Sequence, residues 1–205
     1  QLRAVVDHVV PQLARRDQTP LRIWSVPCAT GEEPLTLAML LSEAGWFDRL
    51  AIELLASDAS PDAIARAKKG CYGQRAFRNL PPAMHEKYFV PHENQWRVVP
   101  ELHQRISFDI VNLVAEDQVR RHAAAPVIFC RNVFIYFSDE SIRRTIGVFE
   151  RAMPAPGYLC VGASESLLRR TIAFELQEIG GAFVYVKGAP TPKPSPRLLR
   201  LERTS

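Results

Sequence analysis

Three short polar clusters, each placed directly after an apolar run, hold residue types from which a binding site can be assembled. The first, Pro27-Cys28-Ala29-Thr30-Gly31-Glu32-Glu33-Pro34, follows LRIWSV. Its one glycine and paired glutamates do not suit a dinucleotide, whose pyrophosphate favours glycine-rich turns and a positive helix end. The same acids suit a cation, such as the ammonium of a bound amino acid. Thr30 and Glu33 also match an S/T-x-x-E capping box, which would account for both without a ligand. Pro34 weighs against that reading: with Thr30 as N-cap it falls at the fourth helical position, where the first helical hydrogen bond needs an N–H. A helix starting at Pro34, with Glu33 at its rim, fits better. The second cluster is Asp58 after IELLAS, where a Rossmann-like sheet puts an acid that accepts from two ribose hydroxyls. An Asx turn is an equally good reading of that residue. The third is Cys130-Arg131-Asn132-Val133-Phe134-Ile135-Tyr136-Phe137, at the end of the run VIFC. Arg131, Asn132 and Tyr136 make a polar ledge, while Phe134, Ile135 and Phe137 read as core residues.

These clusters converge only if the runs before them are neighbouring strands, and the chain between them reads that way. Apolar strands alternate with amphipathic stretches from Leu21 to Lys187, the pattern of an α/β fold with a mostly parallel sheet covered on both faces. Leu21 to Val26, Ile52 to Ser57, Val127 to Cys130 and Tyr158 to Gly162 are the predicted parallel strands. PLTLAMLLSEA, closed by Gly45, is a predicted helix; Ser60-Pro61 caps a second, and Ser138 a third. FELQEIGGAFVYVK predicts an antiparallel hairpin about Gly180-Gly181. A parallel sheet finished this way is the shape of the Rossmann-like class I S-adenosylmethionine (SAM) methyltransferases, although a fold alone fixes no function. The long interval Gly70 to Ala125, with WRVV and RISF as short strands, predicts a small β-subdomain at about 87–108. Residues 1–20 read as a linker helix from an upstream helical domain, 21–187 as the main domain, and 188–205 as a proline-rich tail.

Composition narrows the class. With 205 residues and 47% apolar content the chain can bury a core. Its net charge of +4 is spread along the sequence, so no nucleic-acid partner is expected, and an acidic partner remains compatible. No apolar run approaches the roughly 18 residues of a membrane span, and charged residues from Arg3 to Asp17 argue against a signal peptide. Cys28, Cys71, Cys130 and Cys160 lack CxxC spacing, which predicts no metal, no disulfide and a reducing, cytoplasmic compartment. The cysteines read as buried small hydrophobes. His8, His85, His92, His103 and His122 have no partner pattern and read as surface residues.

WSVPCATGEEPLTLAM, ASDASPDAIARAKKGCYG, FRNLPP with KYF, SFDIVNLV, VIFCRNVFIYF and GYLCVGASESL resemble, in order and spacing, the CheR family of chemotaxis receptor methyltransferases. The resemblance covers about Arg22 to Lys187, and GEEP together with FCRNVxIYF is its specific part. It implies transfer of the SAM methyl group to glutamate side chains of chemoreceptor cytoplasmic helices, giving glutamate methyl esters and S-adenosylhomocysteine (SAH). It further implies that Ala29 and Thr30 line the cofactor, that Glu33 holds its amino group and Asp58 its ribose, and that Asn112-Leu113 flank the adenine. Arg131 and Asn132 would line the pocket, and Tyr136 would stand near the transferred methyl as the catalytic residue. The family's β-subdomain grips a receptor tether peptide in some members; the short, glycine-free VPHENQW here implies that this binding is absent, which a pull-down with such a peptide checks. Three departures stand out: Val26-Pro27 and Ala125-Pro126 replace a glycine-containing pair and a Phe-Asp pair, and Ala163 replaces a common histidine before Ser164-Glu165. The family's N-terminal helical domain and its FFR segment are expected upstream of Gln1. A non-catalytic SAM- or SAH-binding regulatory module is the alternative reading; a dehydrogenase has little support without G-x-G-x-x-G.

Overall fold

The computed structural model describes residues 1–16, 20–167 and 173–188. The predicted tail from residue 189 onward lies outside the described residues. Ten strands are assigned among them: β1 (Leu21–Ser25), β2 (Ile52–Asp58), β3 (Cys71–Tyr72), β4 (Phe89–His92), β5 (Gln95–Val98), β6 (Ile106–Ile110), β7 (Val127–Cys130), β8 (Gly157–Val161), β9 (Phe174–Ile179) and β10 (Ala182–Lys187). Seven form one sheet in the order β6-β2-β1-β7-β8-β10-β9. The first five are mutually parallel, and β10 pairs antiparallel with β8 and β9. The α/β class and the closing hairpin are as the sequence predicts, with Gly180 and Gly181 both at positive φ in the turn.

Strand periodicity explains why both faces are covered. Residues two apart point to the same side, so Leu21 and Ile23 of β1 enter one core cluster while Trp24 and Val26 enter the other. In β7, Val127 and Phe129 separate from Ile128 and Cys130 in the same way. Helices Glu32–Glu43 and Pro61–Lys69 supply Leu35, Leu37, Leu41 and Ile64 to the first face; Glu116–His122 and Asp139–Ala152 supply Val119, Ile142, Ile146 and Phe149 to the second. Residues 2–14 are helical and built into the first core: Val5, Val6, Val9, Val10 and Leu13 are between 0 and 3% exposed. The turn Val5–Val9 is a π-helix, and Pro11 accounts for it, since its ring lacks an N–H and presses on the carbonyl four residues earlier.

Three predictions need correction. RISF does not belong to the insertion: Ile106–Ile110 is a parallel edge strand paired to β2. RISF reads as a short strand but not as a member of the main sheet, because only Ile106 of the strand's five residues is buried and the apolar signal of a covered strand is absent. The small sheet is instead β3-β5-β4, which starts at Cys71 and ends at Val98. The helix expected from Pro34 begins at Glu32 with Gly31 as N-cap. Pro34 is then the third helical residue, whose N–H is spare, and Leu35 donates the first helical bond to the Gly31 carbonyl at 3.0 Å.

Strand order reverses between β1 and β7, with β2 on one side and β8 on the other. The crevice outside the carboxyl ends at such a reversal is where open α/β sheets bind ligands. All three polar clusters end there.

Candidate functional site

The turn after β1 is shaped by close approach. Gly31 adopts φ 95°, and a Cβ there would meet the Tyr72 hydroxyl at 3.0 Å and the Ala67 Cβ at 3.1 Å. That hydroxyl donates to the Thr30 carbonyl at 3.1 Å. Burial, and then the nearby Glu32 charge, push the Tyr72 phenol up, so it stays a donor. Thr30 is no capping-box residue: its hydroxyl donates to the Glu32 carboxylate at 2.7 Å. Glu33 turns inward, accepting from the buried Ser25 hydroxyl at 2.8 Å and from Arg131 Nη1 at 2.7 Å. The Glu33 and Arg131 side chains are 19% and 32% exposed, so their attraction is less screened than that of a surface pair. Arg131 Nε is buried with no partner among the described residues.

Asp58 spans two elements. One oxygen accepts from the Ser60 N–H at 2.9 Å, an Asx turn, and the other accepts from the Ala29 N–H at 3.0 Å. Ser60 then caps its helix through the Ala63 N–H. Each carboxylate oxygen keeps a free lone pair at a half-buried position facing the crevice edge. Both readings of Asp58 are therefore compatible. Ala29, at φ 48°, is the residue that bends the first turn toward it.

At the end of β6, Asn112 is exposed and accepts from the Val114 N–H at 3.1 Å. The Leu113 side chain is 6% exposed and belongs to the core, while Ile110 and Val114 are 50% and 46% exposed. Sequence reasoning missed these two as the apolar surface beside Asp58, because the strand at whose end they lie was assigned to the insertion.

After β7, Phe134 is buried and Phe137 packs partly against the core, as expected. Ile135 is 54% exposed, contrary to expectation, because the short helical turn Phe134–Tyr136 swings it outward. Tyr136 is 80% exposed. Asn132 is exposed at φ 60°. A cavity of about 480 Å³ beside this ledge is lined by Gln1, Arg131, Gly162, Glu165, Phe183 and Tyr185 among others. Glu165, 8% exposed, accepts from the backbone N–H groups of Asn132, Val133, Phe134 and Gly162 at 2.6 to 2.8 Å. The sequence signal for it was present in GASES: a glutamate placed just past a buried strand.

The remaining polar residues divide differently from expectation. Cys28, Cys130 and Cys160 are buried small residues, and burial holds all three thiols protonated, Cys28 and Cys160 pushed up to about 12. Not all histidines are peripheral: His122 packs 5.3 Å from Trp24 and reaches Asp109 at 3.2 Å, and His85 packs among Phe77, Phe89 and Trp96. Among the described residues no helix is long and apolar enough to cross a membrane.

The site's donor set fits SAM. Glu33 offers an anion for an ammonium, Asp58 two acceptors for a diol, Ile110 and Val114 an apolar surface for a flat base, and Arg131 Nε an unused donor.

Comparison with known proteins places the chain among methyltransferases. A chemotaxis protein methyltransferase of Vibrio cholerae is 32% identical over 191 residues, covering 91% of this chain and 66% of that protein. A probable biofilm formation methyltransferase of Pseudomonas putida is 33% identical over 168 residues, 82% of this chain and 39% of that one. The chemotaxis protein methyltransferase of Escherichia coli is 32% identical, with 80% and 58% covered. The chain thus spans from about two fifths to just under two thirds of these relatives' lengths. In fold it is similar to an rRNA methyltransferase of Streptomyces viridochromogenes, with a TM-score of 0.50, 12% identity, and 89% and 83% of the chains covered. The family described as CheR methyltransferase, SAM binding domain, matches residues 1–181, and the chain belongs to that family.

Proposed function

We propose that this chain is the cofactor domain of a cytoplasmic enzyme that methylates glutamate side chains on the cytoplasmic helices of chemoreceptors, forming glutamate methyl esters and SAH. The observation that carries the reading is the convergence of Glu33, Asp58, Arg131 and Tyr136 on one edge of a family SAM-binding sheet. Bound SAM supplies a methyl group activated by its own sulfonium charge. Glu33 would hold the ammonium, Asp58 the ribose hydroxyls and Arg131 the carboxylate end.

The chain's residues are asked for little acid–base chemistry. A substrate glutamate, with an ordinary pKa of about 4.3, is already a nucleophile at neutral pH. Arg131 and Glu33 fix position, Ile110 and Val114 exclude water from the base, and Tyr136 orients the transfer from the exposed end of the ledge. Incubating the complete protein with radiolabelled SAM and receptor cytoplasmic fragments should give label that is released as methanol in mild alkali. Alkali-stable label, or none, overturns the proposal.

One observation favours the second reading, a non-catalytic SAM- or SAH-binding module: Tyr136, the side chain assigned to the transfer, is 80% exposed. Methyl transfer by the complete protein rejects it.

A further inference from the structure

β7 and β8 are parallel neighbours that end in register, Cys130 beside Val161, so both chains leave the sheet at one level. The loop leaving β7 has a backbone problem. Asn132 at φ 60° turns the N–H groups of residues 132, 133 and 134 to one side, where no carbonyl meets them. Successive N–H groups arranged this way form a concave nest for an anion. Asn tolerates the left-handed conformation better than most residues, which fits its place there.

Glu165, from the turn after β8, is the anion. One oxygen takes Val133 and Phe134, both at 2.7 Å; the other takes Asn132 at 2.8 Å and its own turn's Gly162 at 2.6 Å. An ionised carboxylate only accepts, so all four contacts have matching polarity. Among the described residues no Lys or Arg forms an ion pair with it. Among the described residues its hydrogen bonds come from backbone N–H groups alone. Gly162 belongs to the same device, since a Cβ there would come within 2.7 Å of the Glu165 carboxylate and 3.1 Å of the Asn132 nitrogen.

The residues on either side of the nest are the ones assigned to the transfer site. Arg131 precedes it and reaches across to Glu33, and buried Phe134 begins the turn that ends in exposed Tyr136. We propose that Glu165 is the positioning residue of this site: by clasping the loop after β7 it sets where Arg131 and Tyr136 stand relative to Glu33 and Asp58. The inference rests on the methyl-transfer reading for its kinetic consequence, and on geometry alone for the clasp.

The test uses the complete protein with Glu165→Gln, which keeps shape but turns an NH2 group toward two of the four donors. Amide exchange at residues 132, 133, 134 and 162 should accelerate while β1 amides keep their protection. SAH affinity should weaken about fivefold as Arg131 shifts, while kcat should fall about 100-fold, the scale of an ångström of misplacement. A residue that served folding alone would not separate kcat from cofactor affinity in this way. Unchanged exchange at the four amides, or lost protection with unchanged kcat, overturns the proposal. If Glu165→Gln does not fold, Gly162→Ala, which keeps the carboxylate but displaces it, should give the same split, and an unaltered kcat there is equally fatal. If the wild type transfers no methyl group, the functional reading fails; accelerated exchange confined to the four amides of the variant still upholds the clasp, and unchanged exchange refutes it.

Discussion

Carboxylates stand after three strands at the same edge of the sheet, and they are used in two ways. On the β1–β2 side, Glu33 and Asp58 keep part of their surface and lone pairs toward the crevice while bonding to Ser25, Arg131, Ala29 and Ser60. On the β7–β8 side, Glu165 is withdrawn to 8% exposure, and its four hydrogen bonds described above all come from backbone. The difference teaches that the residue type does not define the role. What does is how much of the acid the backbone takes up. Asp58 serves two backbone N–H groups and stays half-buried with acceptor capacity to spare, whereas Glu165 serves four, is almost wholly buried and becomes part of the scaffold.

Substitutions that sharpen this contrast should separate stability from binding. Glu165→Ala leaves four N–H groups with no acceptor and should cost about 4 kcal/mol, even allowing for partial rescue by water. Thermal unfolding should then shift down by about 10 °C; a shift of a degree or two would break the contrast. Glu33→Ala and Asp58→Ala should each weaken SAH binding by about 30-fold in calorimetry, the equivalent of about 2 kcal/mol for a lost charge-assisted bond. Affinity held at the wild-type level in either variant would remove that acid from the binding side. Tyr136→Phe, at an 80% exposed position, should change stability by less than about 0.5 kcal/mol and leave SAH affinity intact. Methyl transfer by the complete protein should still slow by about tenfold or more.

The smallest effect concerns a carboxylate outside the comparison. Glu43 is held below the ordinary carboxyl value by hydrogen bonds from Lys87 and then Tyr88, which tie the helix Glu32–Glu43 to the insertion. Because its folded value lies below its unfolded one, the stabilisation is complete above the unfolded value and is lost as pH falls through the folded value. Acid titration of Glu43→Gln should lack that shallow limb. Glu43 and Lys87 are exposed, so the neutral-pH difference should be close to the error of a chemical denaturation curve.

Much of the fold was legible in the sequence because its central strands are covered on both faces and read as continuous apolar runs. LRIWSV, VIFC and YLCVG needed no periodicity argument. The edge strand ISFDI gave no such run, and assigning it to the small β-subdomain displaced the boundary of the insertion. At the site, Glu33 and Asp58 were legible because they follow two predicted neighbouring strands, although an Asx turn reads Asp58 equally well, and the aromatic string after Cys130 was legible by composition. Glu165 was passed over although it too stands just past a buried strand, because nothing in the spacing of GASES points to the loop after β7 that it serves. Ile135 was misread for a related reason: apolar residues in a short helical turn follow no strand period.

The antiparallel hairpin has a consequence for how copies of this chain meet. Among the described residues it makes β9 one margin of the sheet, and the exposed Glu175 and Glu178 stand along it. Two chains approaching margin to margin would bring four like charges together before any backbone pairing formed. The strand that completes the sheet thus also ends it, so crowding this protein at high concentration should not extend the sheet through that margin.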